Sequence, residues 1–210
     1  MDSLLQEATD HLSAHDEVLR DLIGAYPHPT FMPHTNYYHA LVGSIISQQL
    51  SVKAAATIEG RFKDLFGGSF PSSEQIIEKD IETLRSVGLS RPKAEYIHDL
   101  AVKIIDGTIQ FDSLPTLTNE EIIAELTTVK GIGVWTVHMF LMFCMGRLDV
   151  LPVGDLGIKN GIKQLYQLDH VPHAEEIIEI AARNNWHPYE SVASWYIWRS
   201  LDNTPITNES

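Results

Sequence analysis

The chain has 210 residues, and its 15 Lys and Arg against 28 Asp and Glu leave a formal charge of −13. This length allows one compact unit or two lobes that share a core, and an apolar fraction of 44% excludes wholesale disorder. The single cysteine, Cys144, excludes an intrachain disulfide, a four-cysteine iron–sulfur cluster and a zinc site built from paired CxxC motifs.

Helical spacing of apolar residues dominates the chain, whereas the alternation typical of strands is rare. Ser72 with Gln75 and Thr118 with Glu121 are capping-box patterns that start helices, and Gly or Pro residues end others. These signals predict an all-α protein with helices over residues 16–25, 38–47, 52–66, 72–78, 80–86, 92–106, 118–126, 134–145, 155–166, 174–184 and 191–200.

The segment LTTVKGIGVWT, residues 126–136, predicts a hairpin between two helices. Gly131 and Gly133 allow positive φ and a close approach of the backbone to an outside group, and Ile132 is expected to pack into the helix pair. The amides at the start of the Val134 helix would face outward, where the helix dipole favours an anion such as phosphate. Backbone donors need no basic side chain, so even an acidic protein could bind DNA here. The alternative is a tight turn that needs glycine only for its shape.

The segment LPVGDLGIK, residues 151–159, places a carboxylate in a loop bounded by Gly and Pro. Asp155 falls at the predicted start of a helix, where the dipole favours negative charge. A carboxylate held there could stabilise a cation or orient a water molecule. The alternative is an ordinary Asp N-cap, which contributes only ~1 kcal/mol.

Together the hairpin and the Asp loop resemble the HhH-GPD superfamily of base-excision DNA glycosylases. Three further segments resemble its 3-methyladenine (AlkA/Mag) branch in a compact form: residues 45–51 (IISQQLS), 87–94 (VGLSRPKA) and 195–198 (WYIW). The resemblance spans residues 37–201. It implies a helix–hairpin–helix fold of two helical lobes with the active-site cleft between them. One lobe would comprise residues 1–36 and 147–210, and the other residues 37–146, with the helix–hairpin–helix at about 119–146.

The resemblance also implies a reaction. A monofunctional DNA glycosylase of this branch flips an alkylated purine of the 3-methyladenine type out of duplex DNA and hydrolyses its N-glycosidic bond. Asp155 matches the catalytic carboxylate that stabilises positive charge on the deoxyribose and positions water. Bifunctional relatives carry a nucleophilic lysine where this chain has Trp135, so no strand cleavage is expected.

Further residues are assigned to DNA by the same resemblance. Trp198 would stack on the cationic base, with Trp135 and Met139 also lining the pocket, although a core position for Trp135 is equally open. Gln49 would fill the gap left by the flipped base, whereas Gln48 is expected to hydrogen-bond within the protein. The expected DNA contacts are Gln49, Lys130, Gly131, Ile132, Gly133 and Val134, and phosphates could also face Lys93, Lys159 and Lys163.

We expect no required cofactor, no iron–sulfur cluster and no zinc, because the 10 histidines are scattered and Cys144 is expected to be an inert core thiol. The resemblance implies that a Na⁺ or K⁺ ion can be held by the backbone carbonyls of Thr127, Val129 and Ile132. The expected partner is double-stranded DNA containing alkylated bases, bound by a monomer and away from any membrane. The expected location is cytoplasmic in a bacterium and nuclear in a eukaryote.

Two other functions stay open at this point. A non-catalytic member of the superfamily would bind damaged or abasic DNA and recruit other repair factors. An all-α adaptor protein would use the glycine turn only for its shape, but this does not explain why the hairpin and Asp155 occur together. A glycosylase for oxidised guanine is less favoured, because Trp135 occupies the lysine position.

Overall fold

The structure is a computed structural model that describes residues 2–201. Helices are the only regular structure of these residues, and none of the residues lies in a strand, which confirms the all-α prediction. No helix among them is both long enough and apolar enough to cross a membrane. The twelve α-helices are α1 (Asp2–His15), α2 (Glu17–Ala25), α3 (Tyr37–Ser47), α4 (Val52–Leu65), α5 (Ser73–Ile77), α6 (Ile81–Arg85), α7 (Arg91–Ile105), α8 (Asn119–Leu126), α9 (Val134–Met139), α10 (Leu156–Leu165), α11 (Ala174–Arg183) and α12 (Glu190–Leu201).

Two elements differ from the sequence prediction. Helix α1 was not among the predicted helices, because its acidic residues obscure a narrow apolar stripe: Leu5, Ala8 and Leu12 are all buried. The helix predicted over residues 134–145 is also not regular, since α9 ends at Met139 and the chain continues as a π-helical segment, Phe140–Cys144.

The chain divides into two compact units. The first unit consists of the residues up to Pro33 and from Leu141 onward, and the second is His34–Phe140. The boundaries expected from the sequence, after residues 36 and 146, fall a few residues further along the chain. The outermost parts of the expected first lobe, residue 1 and residues 202–210, lie outside the described residues.

The first unit is built around α12, which packs against α1, α2 and α10. A buried carboxylate, Asp16, links these helices. Asp16 caps α2 by accepting the N–H groups of Val18 and Leu19, and its Oδ2 accepts the Tyr166 hydroxyl at 2.5 Å and the Trp186 indole N–H at 2.7 Å. Burial and the adjacent carboxylate raise the pKa of Tyr166. The hydrogen bonds satisfy the buried charge and connect α2 with the end of α10.

The second unit is organised by α7, which packs against α3, α5 and α6. The expected apolar stripe of α3 is confirmed, since Leu41, Val42, Ile45 and Ile46 are buried. Helix α8 lies against α9, and the two are joined by the predicted hairpin. The unit thereby fixes both the hairpin and the turn that follows α3, where Gln49 lies.

Candidate functional site

Asp155 is the N-cap of α10, as its position in the Gly/Pro loop predicts. Its Oδ1 accepts the backbone N–H of Ile158 at 2.8 Å. The same oxygen accepts the indole N–H of Trp198, also at 2.8 Å. A donor from α12 therefore adds to the ordinary cap and fixes the orientation of the carboxylate. The alternative of an ordinary N-cap is therefore met in full, and the Trp198 contact is added to it.

Two glycines of α10 permit this contact. A Cβ at Gly157 would lie 2.9 Å from Asp155 Oδ1 and 3.0 Å from Trp198 Cδ1. One turn later, a Cβ at Gly161 would lie 2.4 Å from Ile197 Cγ2. The face of α10 that meets α12 therefore carries no side chain at these positions, and the close approach lets the indole of Trp198 reach Asp155.

An aromatic row begins at Trp198, and the sequence analysis missed its other two members. The ring of Phe143 lies 6.0 Å from that of Trp198 at an angle of 32°, and the ring of Phe31 stacks on Phe143 at 5.8 Å. Phe143 is 39% exposed, whereas Phe31 is buried. In the sequence Phe143 belongs to an apolar run that predicts core positions. The π-helical segment changes the angular position of its residues, so the helical pattern could not indicate that Phe143 is exposed.

The hairpin has the expected shape with one exception. Ile132 is buried, as predicted, and Gly131 has a φ of +79°. Gly133, in contrast, has a φ of −97° and serves as the N-cap of α9, so it does not use the positive φ that glycine allows. One left-handed residue suffices to reverse the chain, and an extended residue then starts the helix. No side chain caps α9, and Lys130, Gly133 and Val134 at its start are exposed.

Side chains of the second unit hold the hairpin from beneath. Gly131 lies directly on the ring of Tyr96, because a Cβ there would come within 2.0 Å of Tyr96 Cδ2. The carbonyl of Gly131 accepts Nε2 of Gln48 at 2.9 Å, which confirms the internal hydrogen bond expected of Gln48. The N–H of Lys130 donates to Asp99 Oδ2 at 2.9 Å.

Gln49 lies in the turn between α3 and α4. Its side chain is exposed and its φ is +58°, a left-handed conformation that costs a non-glycine residue roughly 1–2 kcal/mol. Lys93 stabilises this turn by donating to the carbonyls of Ile46 at 2.8 Å and Gln48 at 2.5 Å. Burial lowers the pKa of Lys93. The sequence left open a phosphate contact or simple solvation for Lys93, and the structure shows that the carbonyls at the end of α3 bind its ammonium group.

The remaining predicted site residues have distinct surroundings. Trp135 is 50% exposed on α9, so the alternative that it belongs to the core is wrong. Met139 is half-buried one turn later. The base pocket expected from Trp198, Trp135 and Met139, and the phosphate contacts of Lys159 and Lys163, stay predictions.

Among residues 2–201 no cluster of three or more His, Cys, Asp and Glu side chains is placed to hold a metal. At the hairpin, the Val129 carbonyl accepts the N–H of Ile132 at 3.1 Å and retains a second lone pair, so it could also bind a cation. Cys144 is buried, and burial raises the pKa of its thiol to about 11, which agrees with an inert core thiol.

The hairpin, the capped Asp155 and the all-helical fold together define a class of protein. The family model for HhH-GPD superfamily base excision DNA repair proteins matches residues 42–188. The chain belongs to this superfamily.

Within this superfamily, the chain is similar to proteins named as 3-methyladenine glycosylases. The chain is 38% identical to DNA-3-methyladenine glycosylase 1 of Schizosaccharomyces pombe, over 93% of this chain and 87% of the relative. The structure matches DNA-3-methyladenine glycosidase of Bacillus halodurans with a TM-score of 0.83 and 36% identity, covering 93% and 89% of the two chains. It also matches the S. pombe 3-methyladenine DNA glycosylase Mag1 in complex with abasic DNA, with a TM-score of 0.79 and 34% identity, covering 96% and 100%.

Proposed function

We propose that this protein is a monofunctional DNA glycosylase that removes alkylated purines of the 3-methyladenine type from duplex DNA by base flipping, and so initiates base excision repair. The observation that carries the proposal is the hydrogen bond between Asp155 and Trp198, beside the half-exposed ring of Phe143. It joins the one carboxylate needed for the chemistry to an aromatic group suited to a cationic base. The relatives named as 3-methyladenine glycosylases support the same reaction.

The chemistry follows from the charge of the substrate. A purine alkylated at N3 or N7 already carries positive charge, so it leaves readily and needs little acid catalysis. Positive charge then develops on the deoxyribose, and Asp155 stabilises it while positioning a water molecule to attack the sugar. The N–H groups of Ile158 and Trp198 hold the carboxylate in one orientation, so little reorganisation is needed when the charge develops.

Recognition of the flipped base uses aromatic faces. A cationic ring is attracted by the π-electrons of Trp198 and Phe143. An uncharged normal purine lacks this cation–π attraction and is bound less tightly. The resemblance also assigns Trp135 and Met139 to base recognition, and Trp135 is 50% exposed on α9. Because an indole replaces the lysine of bifunctional relatives, no covalent link to the sugar forms and the strand stays uncut.

The second unit binds the DNA backbone. The outward amides of Gly131, Gly133 and Val134 donate to a phosphate, assisted by the exposed ammonium group of Lys130. The carbonyls of Thr127, Val129 and Ile132 are neutral oxygen donors, which suit Na⁺ or K⁺. When bound, such an ion would supply positive charge between the hairpin and a phosphate. Gln49 occupies the gap that the flipped base leaves.

The proposed enzyme needs no cofactor for catalysis, acts as a monomer on double-stranded DNA, and works where the genome lies, in the cytoplasm of a bacterium or the nucleus of a eukaryote. Its test is the release of 3-methyladenine from methylated duplex DNA by the purified protein, with an Asp155→Asn variant in parallel. Release by the wild type and its loss in the variant are expected. Binding of abasic DNA without any release by the wild type would instead identify a non-catalytic member.

A further inference from the structure

Helix α7 supports both the Gln49 turn and the hairpin with residues on one face. Lys93, Tyr96 and Asp99 are spaced by three, which places them along one side of the helix. Lys93 holds the turn through the carbonyls of Ile46 and Gln48, and Asp99 holds the hairpin through the Lys130 N–H. Tyr96 lies beneath Gly131 between them.

The turn is held in a conformation that it would not adopt alone. Lys93 binds the last carbonyls of α3, where the helix dipole favours a cation, and this bond fixes the backbone immediately before Gln49. A left-handed non-glycine residue persists only where its surroundings determine it, and such residues cluster at functional sites. Gln49 is therefore presented outward by contacts made one residue earlier.

A direct bond also joins the turn to the hairpin. The side chain of Gln48 donates to the backbone carbonyl of Gly131, and the backbone carbonyl of Gln48 accepts from the Lys93 ammonium group. Gln48 thus belongs to both networks. The distance between Gln49 and the outward amides of the hairpin is set by this residue and by α7.

We propose that Gln48 and Lys93 are positioning residues that couple phosphate binding at the hairpin to insertion of Gln49 into the duplex. This inference rests on the proposed function. When the hairpin binds a phosphate, the rigid link places Gln49 where the flipped base has left its gap. Contacts to the DNA backbone do not depend on the base sequence. Part of their binding free energy is thereby used to stabilise the extruded base.

The test compares excision of one lesion in matched and mismatched duplexes under single-turnover conditions. Gln48→Ala is expected to slow excision about three- to tenfold in the matched duplex, the range for loss of one hydrogen bond, and less than about twofold opposite a mismatch. Lys93→Met is expected to act in the same direction. Affinity for undamaged duplex should stay close to that of the wild type for Gln48→Ala.

Matched controls lie in the same unit. Gln110 also donates its amide to a glycine carbonyl, Gly107, at 3.1 Å, and Lys63 pairs with Glu59 at 2.7 Å. Gln110→Ala and Lys63→Met should leave both rates unchanged. In a double-mutant cycle, Gln48→Ala should add nothing to the defect of Gln49→Ala in the matched duplex. Additive defects, or equal slowing in both duplexes, would overturn the coupling.

A readout that needs no catalysis separates this inference from the proposed function. 2-Aminopurine is placed opposite a stable abasic analogue, where insertion of a side chain changes its fluorescence. Wild-type binding should change the emission, and Gln48→Ala should bind with similar affinity but lose most of the change. If the wild type excises nothing yet shows this difference, the function fails and the coupling stands; if Gln48→Ala changes the emission fully, the coupling is wrong.

Discussion

The two candidate site regions differ in the kind of group that is proposed to act: a side chain in the first unit and the backbone in the second. In the first unit, the proposed reactive group is a side chain, Asp155, and its neighbours Trp198 and Ile158 donate N–H groups to it. In the second unit, the proposed DNA-binding groups belong to the hairpin backbone. There, the side chains of Gln48 and Asp99 hydrogen-bond to that backbone, and Gly131 lies on the ring of Tyr96.

This contrast separates two kinds of sensitivity. Where a carboxylate stabilises the transition state, removing its charge should abolish excision while the protein stays folded. Where the backbone does the work, no single side chain carries the function, and substitutions act by moving the backbone. If the proposed phosphate contact is correct, a chain with a net charge of −13 can bind DNA there, because backbone amides require no excess of Lys or Arg.

The largest expected effect tests the side-chain half of the comparison. Asp155→Asn should lower single-turnover excision on the order of 100-fold or more, because the charge is needed only as positive charge develops on the sugar. Asn still caps a helix and accepts both N–H groups, so stability and affinity for abasic DNA should change little. Asp80, which caps α6 by accepting the Thr83 N–H at 2.7 Å, provides the control Asp80→Asn. Comparable losses in both variants would contradict the role of Asp155.

Gly131 and Gly133 of the hairpin test the role proposed for the backbone. Gly131→Ala should lower the free energy of unfolding by about 2 kcal/mol or more, because alanine meets both a positive φ and the ring of Tyr96. Gly133→Ala should change it by less than about 0.5 kcal/mol, since its φ of −97° is ordinary and its Cβ position is open. Thermal or urea unfolding measures both.

DNA binding then sharpens the contrast between these glycines. A methyl group at Gly133 points into open space in the free protein but would crowd a phosphate at the amides of α9. Gly133→Ala should therefore weaken binding to damaged and undamaged duplexes alike while the protein stays folded. Unchanged affinity of this variant would place the phosphate elsewhere.

A smaller effect separates the two roles of Trp198. Trp198→Phe keeps an aromatic face beside Phe143 but removes the N–H that Asp155 accepts, so excision should slow about tenfold while the affinity for duplexes carrying a lesion stays similar. Trp195→Phe, which leaves that bond intact, is the matched control. A purely stacking role would predict little change in rate for Trp198→Phe.

The smallest effect concerns Gln49 and has opposite signs in stability and activity. Gln49→Gly relieves a left-handed conformation, so the free energy of unfolding should rise by up to about 1 kcal/mol. Excision should nevertheless slow, most strongly for lesions that are well stacked and paired, because no side chain fills the gap. A loss of stability together with equal slowing on all duplexes would mean that Gln49 only ties helices together.

Local patterns predicted much of the fold because they are short in range. The capping boxes at Ser72 and Thr118 and the apolar stripe of α3 depend on residues three or four apart, and the structure contains them. The burial of Ile132 and the cap formed by Asp155 are of the same kind. Helix α1 was not predicted because its buried apolar stripe is narrow and its stability depends on packing against α2 and α12.

The sequence by itself determined the all-α class, the hairpin and the candidate residues Asp155, Trp198 and Gln49, because these follow from local spacing and from motifs that resemble one superfamily. The tertiary structure alone decided which groups meet. The bonds of Trp198 to Asp155 and of Gln48 to Gly131 join residues far apart in the chain. Likewise, Lys93 binds backbone carbonyls because folding brings α7 to the end of α3. Such contacts depend on helix packing, which no local pattern encodes.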